Sequence, residues 1–314
     1  MLSAVVGRSS GWLSQRENVS LLLPSVVFGA AVAALSARAA GWSAAKTWLK
    51  GLDGPQTALL TLGVAIALVV FVQLLQHLLR PLTRLYAGYW GAGRWSSKLA
   101  DRARERQGNK RRRLRDVIDA TTDESARDAA YATYFACFPP VPERVMPTRL
   151  GNVLRAAEAY PNDERRYRMD AAFFWPRLYP LLPEPLRAEL GASRSTIDLT
   201  LVSATLAGLL AALVLAFGGV AQLGWPLRLL LVVLLVLAAY LLYRWSVVAA
   251  VLYGELVRSA FDVSRRTLLV SLGVCLPGTL EEEQRIWQAL AQWLYRGGVS
   301  EELEGALRFK ADPP

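Results

Sequence analysis

A group of polar side chains lies at one end of an otherwise apolar stretch, Gln56 to Leu79. The group consists of Gln73, Gln76, His77 and Arg80. Spacings of three and four residues place these side chains on one face of an α-helix. Polar groups in such a helix can line an aqueous pathway, or can reach the headgroups where the helix leaves a membrane. We expect Thr57 and Thr61, at the opposite end, to continue the polar line across an apolar constriction.

Patterns that would indicate catalysis are absent from the sequence. It contains no nucleophile elbow and no Gly-rich phosphate loop. The nearest approach, GYWGAG at 88–93, has no strand before it and no Lys-Ser/Thr after it, which favours a flexible linker. One histidine and two cysteines, Cys137 and Cys275, cannot form a zinc site without carboxylates. We therefore expect a protein that is not an enzyme and that has no metal and no cofactor.

A basic run between Arg94 and Arg115 carries the second set of candidate binding residues. The side chains expected to contact anionic lipid are Arg102, Arg106, Arg111, Arg112 and Arg113. Lipid contact is one interpretation, and an electropositive vestibule that concentrates anions is a second. Nucleic-acid binding is a third, but the nearby aromatic residues precede the run instead of alternating with it, which argues against a base-stacking surface.

Four apolar segments of about 20 residues must position these groups. The segments are 19–37, 56–79, 196–218 and 225–246. Each is long enough, as a helix, to cross a hydrocarbon layer of about 30 Å. A buried soluble hairpin is the alternative for the last two, but a soluble helix keeps a polar stripe, and Leu227–Tyr243 contains only Arg228. The first segment also resembles a signal peptide ending near Ala37-Arg38-Ala39.

Composition and charge agree with this interpretation. The chain has 314 residues, of which 53% are hydrophobic, and a net charge of +10. Most of the basic residues are Arg in an Ala- and Leu-rich chain, which fits a GC-rich bacterial genome. Most of the Lys and Arg near the apolar segments lies between the second and the third, so the positive-inside rule places residues 80–195 and both termini in the cytoplasm of a bacterial plasma membrane. A disulfide between the two cysteines is not expected there.

The second hairpin contains a predicted ion pair. Folding it about residue 222 brings Asp198 and Arg244 to a similar depth near the cytoplasmic boundary. Because a charged group in lipid is costly, we expect the two side chains to approach each other or to share a polar neighbour.

The remaining residues predict a helical cytoplasmic domain. Helices are expected over 116–138, 148–160 and 279–295, and the fourth apolar helix should continue beyond Trp245. Thr279 with Glu282 forms a capping box, and Gly297-Gly298 ends that helix. We expect residues 80–195 and 247–314 to pack together, because neither has enough apolar surface alone.

The predicted fold is therefore an all-α integral membrane protein. Its domains would be 1–79 (first transmembrane hairpin), 80–195 (basic helical region), 196–246 (second hairpin) and 247–314 (C-terminal helices). The first functional hypothesis is a homo-oligomeric, channel-like ion conduit gated by the cytoplasmic domain. The alternative is a non-conducting anchor or signalling subunit that docks a soluble protein through residues 148–186. Expected partners are anionic lipids, further copies of the chain and that soluble protein, and not nucleic acid.

Overall fold

The computed structural model describes residues 10–91 and 93–309. Its α-helices are α1 (Ser10–Ala39), α2 (Trp42–Lys50), α3 (Gly54–Tyr86), α4 (Arg94–Ala120), α5 (Glu124–Cys137), α6 (Arg149–Ala159), α7 (Ala171–Leu178), α8 (Glu184–Phe217), α9 (Trp225–Ser271) and α10 (Leu280–Arg296). Three 3-10 turns add Pro142–Arg144, Tyr179–Leu181 and Glu301–Leu303. The described residues form no β-strand, and one antiparallel bridge joins Val274 to Phe309. The predicted all-α class is confirmed.

Four of these helices are long and apolar enough to cross a membrane. They are the described segment Leu21–Ala39 of α1, and α3, α8 and α9. The chain termini that were expected in the cytoplasm, residues 1–9 and 310–314, lie outside the described residues.

The chain divides into two compact units. We call the first the helical domain; it contains Arg84–Arg194 and the described residues of Ala249–Pro314. We call the second the apolar bundle; it contains Trp12–Thr83 and Ser195–Val248. Because α8 and α9 run without interruption, both helices contribute residues to each unit.

The apolar bundle has a small core. Its buried members are Leu21, Val72, Leu75, Val202 and Leu206. The rings of Phe28 and Phe71 stack against this cluster with centroids 5.8 Å apart. Most other large apolar side chains of the bundle are exposed, including Val64, Leu215 and Leu234. Contiguous exposed apolar surfaces of this extent are typical of protein that contacts a membrane or another protein.

The helical domain is organised around aromatic side chains that are fully buried. Trp287 on α10 lies 5.0 Å from the ring of Phe174 on α7, and Trp175 lies 5.8 Å from Phe261 on α9. Trp287, Phe174 and Phe261 each have 0% of their surface exposed. Three helices that are distant in the sequence therefore share one core.

Two glycines allow a close approach between the end of α3 and the start of α6. A Cβ placed on Gly151 would lie 2.0 Å from the carbonyl oxygen of Ala87, so no larger residue fits there. Gly88 has a φ of +91° and packs on Pro147. The GYWGAG segment therefore begins with a packed turn, where the sequence indicated a flexible linker.

Several helix limits differ from the expected ones. The predicted helix over 116–138 is wrong as a single element, because Thr121–Asp123 interrupts it and the Asp123 carboxylate caps α5 by accepting from Ala126 N. The third apolar segment is part of a longer helix that begins at Glu184, with Pro185 in its first turn. The helix beyond Trp245 is confirmed, since α9 continues to Ser271.

Candidate functional site

An open cavity of about 1040 Å³ lies in the helical domain. Its walls come from the C-terminal half of α4, from α5 and the Pro-rich segment after it, from α6, and from the loop after α6. Gln288 of α10 completes the lining. We call residues Asn162–Arg168 of that loop the arginine loop. A cavity of this size, open on one side, is at the upper end of the range for small-molecule sites and admits an extended ligand.

Cationic groups outnumber anionic ones in the lining. The cations are Arg115, Arg144, Arg165, Arg166 and Arg168, and the carboxylates are Asp119, Asp163 and Glu164. Aromatic rings form the remaining wall: Tyr131, Tyr134, Phe135, Phe138 and Tyr160. Guanidinium groups beside aromatic faces provide charge for an acidic ligand and flat surfaces for its apolar parts.

Asp262 of α9 holds both ends of the arginine loop. The hydroxyl of Tyr160 donates to the two carboxylate oxygens of Asp262 at 2.9 Å each, and the hydroxyl of Tyr167 donates to Oδ1 at 2.8 Å. Hydrogen bonds to a charged acceptor are the stronger kind. Gln284 of α10 adds a third anchor, because its amide donates to the carbonyl oxygens of Glu164 and Arg166. The loop is therefore fixed by two helices.

Arg166 is held in one orientation at the base of the cavity. Its guanidinium lies 4.0 Å from the ring centroid of Tyr160 and 5.3 Å from that of Phe135, and its Nη1 donates to the Tyr160 hydroxyl at 2.7 Å. Arg258 of α9 lies 4.9 Å from the same Phe135 ring. Stacking of this kind removes side-chain freedom before any ligand binds, which lowers the entropy cost of binding.

The surroundings of the two tyrosines favour their neutral forms. Burial raises the pKa of Tyr160 and of Tyr167, and the hydrogen bonds to Asp262 and its negative charge raise the pKa of each further. Arg166 partly opposes the increase at Tyr160. Both hydroxyls therefore remain hydrogen-bond donors at neutral pH, and the loop stays anchored.

Backbone strain is located at the end of the arginine loop. Arg168 has a φ of +52°, in the left-handed region that side-chain-bearing residues rarely occupy. The Met169 amide donates to the Pro161 carbonyl at 2.9 Å, and the Met169 side chain is fully buried, so the loop is closed by its own backbone. Non-glycine residues in this conformation are concentrated at binding and catalytic sites.

The cavity presents charged and hydrogen-bonding side chains to its interior. Arginine, carboxylate, tyrosine and glutamine groups line it, with no cysteine, serine or histidine as a nucleophile or base. Among residues 10–91 and 93–309, no group of three His, Cys, Asp or Glu side chains is placed to hold a metal ion.

The predicted polar residues of α3 do not all lie on one side of the helix. Gln73, His77 and Arg80 are exposed, and Gln76 is half-buried. At about 100° per residue, Gln73 and His77 lie on the side opposite Val72 and Leu75, which pack into the bundle core. Thr57 and Thr61 have the helical phase of Leu75 instead, and their hydroxyls donate to backbone oxygens four residues earlier. The helix therefore carries two separate polar groups.

The predicted lipid-contacting arginines of α4 also fall into two classes. Arg102, Arg106, Arg112 and Arg113 are exposed. Arg111 is only 5% exposed; its Nη2 donates to the Pro140 carbonyl at 2.7 Å, and its guanidinium lies 5.2 Å from the Tyr134 ring. Arg111 thus joins α4 to α5, while lipid contact by the four exposed arginines stays a prediction.

The predicted ion pair in the second hairpin stays a prediction. Asp198 is buried, while Arg244 is exposed and its Nη1 lies 3.4 Å from the hydroxyl of Tyr240.

The cavity was not found from the sequence. Its two signals in the sequence are the aromatic YATYFACF run at 131–138 and the charged patch after Pro161. Each resembles an ordinary helix end or solvated loop, and only their contact in space makes a site.

Comparison with known proteins gives no match. No family model, no curated protein and no solved structure is detectably similar to this chain.

Proposed function

We propose that this protein is a four-span membrane anchor whose cytoplasmic helical domain docks an acidic segment of a soluble partner protein in the cavity. The observation that carries the proposal is the cavity itself, with five arginines, three carboxylates and five aromatic rings on a loop and helices that are already held in place. No other described part of the chain combines charge, apolar surface and rigidity in this way.

The membrane part of the proposal rests on the four long apolar helices. Most apolar side chains of these helices are not covered by other parts of the chain. Such a surface is favourable in an apolar solvent such as lipid and unfavourable in water. The basic residues of α4 favour a cytoplasmic location for the helical domain, in the plasma membrane of a bacterium. A cysteine introduced at exposed Asn109 should react with an impermeant maleimide in inverted vesicles and not in intact cells; reaction in intact cells would contradict this orientation.

An acidic polypeptide fits the cavity better than a compact metabolite does. The arginines lie on both the loop side and the α4–α5 side of an open cavity, so they are suited to several separated carboxylates. The exposed ring of Tyr131 and the half-buried ring of Phe138 offer positions for aromatic or aliphatic side chains between those carboxylates. Preformed clefts of this type bind extended segments with little change in their own shape.

The test uses a fluorescent peptide and the full-length protein in a nonionic detergent. A short peptide that alternates Glu with Tyr and Leu should bind, and the same peptide with Gln in place of Glu should bind at least tenfold more weakly, measured by fluorescence anisotropy. Equal binding of both peptides would contradict the proposal.

A matched pair of variants locates the binding. Arg144→Gln/Arg165→Gln/Arg168→Gln removes three cavity arginines and should weaken binding about tenfold or more, because three exposed charge contacts are lost. Arg102→Gln/Arg104→Gln/Arg127→Gln removes three exposed arginines outside the cavity and should change affinity less than threefold. An equal loss in both variants would show attraction by net charge alone.

A conduit formed by several copies of the chain is the second candidate. It is favoured by one observation: Gln73 and His77 of α3 are exposed on the side away from the bundle core. If this side of α3 faced the symmetry axis of an oligomer, the polar groups would contact water inside the conduit. Polar side chains within a membrane usually line such a pathway or pack against protein.

Conductance and stoichiometry separate the two candidates. The conduit requires a current in planar bilayers that His77→Leu reduces severalfold, and an α3 helix that cross-links to itself through a cysteine at Gln73. Purified protein that is monomeric and carries no current would reject the conduit and leave the anchor proposal unaffected.

A further inference from the structure

The exposed face of α4 carries a regular row of side chains. Its members are Trp95, Leu99, Arg102, Arg106, Lys110 and Arg113, each three or four residues after the one before. This spacing places the row along one side of the helix. The side that packs into the helical domain is a different one and carries Ala100, Gln107 and Arg111, all buried. The row is therefore a surface in its own right.

Three cations of the row meet at a small pocket. Arg106, Lys110 and Arg113 line a pocket of about 440 Å³ together with Ala103, Gln107, Asn109 and Pro147. The amides of Gln107 and Asn109 add hydrogen-bonding groups beside the three charges. Pro147 closes one side, and it is itself buried under Gly88.

None of the three cations is in an ion pair with another described residue, although Glu105 and Asp116 lie close to them along α4. Of the ion pairs among the described residues, the one on this helix joins Arg104 to Asp101 at 2.7 Å, and none includes Arg106, Lys110 or Arg113. Like charges three and four residues apart destabilise a helix unless an anion lies between them. The arrangement therefore has no evident value for folding, and it suits a compact, multiply oxygenated anion.

We propose that Arg106, Lys110 and Arg113 form a binding site for a phosphate group. Arginine supplies paired N–H donors that match phosphate oxygens, and lysine supplies a point charge. The phosphate belongs either to the headgroup of an anionic lipid or to a soluble molecule. Trp95 is 84% exposed and Leu99 is 58% exposed, and both lie on the same face of α4, nearer its N-terminus than the three cations. Exposed tryptophan and leucine side chains partition into the interfacial layer of a membrane, so their presence favours a lipid headgroup as the source of the phosphate.

The first experiment measures binding of phosphatidic acid to the full-length protein in nonionic detergent, by native mass spectrometry. The variant Arg106→Gln/Lys110→Gln/Arg113→Gln should bind about 100-fold more weakly, as expected for three basic groups at a phosphate surface. The control Lys98→Gln/Arg104→Gln/Arg127→Gln removes the same residue types and charge from exposed positions and should weaken binding less than threefold. Phosphatidylcholine, with no net charge, should bind weakly to every protein.

An equal effect of the two triple variants would overturn the proposal, because it would show that net charge alone attracts the lipid. An unchanged affinity in the Arg106/Lys110/Arg113 variant would overturn it as well. Far-ultraviolet circular dichroism checks that each variant remains helical, and Arg106→Lys/Arg113→Lys keeps the charge while removing the paired donors. That conservative variant should bind with intermediate affinity.

A second experiment identifies the source of the phosphate. If it is a lipid, Trp95→Ala/Leu99→Ala should weaken phosphatidic acid binding severalfold, and millimolar glycerol phosphate should compete poorly. If it is a soluble molecule, glycerol phosphate should displace the lipid at millimolar concentration, and the Trp95/Leu99 variant should bind as the unchanged protein does. Either result supports the phosphate site, whereas preferential binding of a carboxylate lipid with no phosphate would contradict it.

Discussion

The helical domain and the apolar bundle bury their side chains in opposite ways. In the helical domain, Trp287 and Phe174 are fully enclosed, and polar groups such as Asp262 and Glu283 have partners from other segments of the chain. In the apolar bundle, a cluster of five residues is the core, while side chains such as Val64 and Leu234 are exposed along the helices. One chain thus contains a unit with an extensive buried core and a unit whose apolar side chains are mostly exposed.

The two units also differ in the kind of side chain that they hold in fixed positions. A surface of leucine and valine contacts any hydrocarbon equally well and carries little information. The helical domain instead holds arginines, tyrosines and carboxylates in fixed positions, for example through Arg265, which contacts Glu283 at 2.7 Å and stacks on Tyr167 at 4.1 Å. Substitutions in each unit test this difference in packing.

Removing a core ring should have the largest effect. Trp287→Ala leaves a cavity beside Phe174 and removes the hydrogen bond from Nε1 to Glu283, so it should lower the free energy of unfolding of the helical domain by about 3–5 kcal/mol. Trp225→Ala, at the exposed start of α9 in the apolar bundle, should change it by less than about 0.5 kcal/mol. Chemical denaturation in detergent, monitored by the protease sensitivity of the helical domain, measures both changes. A similar loss of unfolding free energy in the two variants would contradict the difference between the units.

Neutralising the anchor of the arginine loop should have the next largest effect. Asp262→Asn weakens the charged hydrogen bonds from Tyr160 and Tyr167, and should cost about 2 kcal/mol of stability. Because the loop would then move, affinity for the Glu-containing peptide should fall about fivefold. A variant with lower stability but unchanged peptide affinity would separate the loop from the binding site.

Two glycines test how closely each unit is packed. Gly151→Ala should destabilise the helical domain by about 1–3 kcal/mol, since the added Cβ meets the Ala87 carbonyl. Gly208→Ala in α8 meets nothing within 4 Å, and should stabilise the bundle helix by about 0.5–1 kcal/mol. Thermal unfolding in detergent gives both signs, and the same sign for both would be evidence against the difference in packing.

Alkaline pH should produce the smallest effect, confined to the helical domain. Tyr167 has a raised pKa when folded, caused first by burial and then by Asp262, while an unfolded tyrosine ionises near pH 10. The unfolded state therefore loses its proton first, and the stability contributed by Tyr167 is complete below about pH 10 and declines above it. Tyr167→Phe should make that decline shallower by roughly 0.5 kcal/mol per pH unit, reduced by solvent screening. Denaturation from pH 8 to 11.5 tests this; identical slopes would contradict it.

Helix type and helix ends were predictable where the signals are local. The N-cap of α10 is confirmed, since Thr279 Oγ1 accepts from Glu282 N at 3.2 Å, and Gly297 ends the helix with a φ of +76°. The Glu282 carboxylate accepts from Gly278 N instead of from Thr279 N, so the capping box is only half formed. The amphipathic helix over 148–160 is confirmed as α6, capped by Thr148. The break between α4 and α5 was missed because Asp123 looks like any polar helix residue until its carboxylate is seen to accept from Ala126 N.

The amino-acid sequence alone determined the helical class, the four long apolar helices and the concentration of base on α4, because hydropathy and periodicity act over a few neighbouring residues. The tertiary structure decided which of adjacent arginines is enclosed, with Arg111 buried and Arg112 exposed, since the packing of α5 selects one side of α4. It also decided the cavity, which joins Arg115, Tyr131 and Arg166 from three segments. Such contacts depend on packing between residues that are distant in the sequence, and local sequence patterns carry no information about that packing.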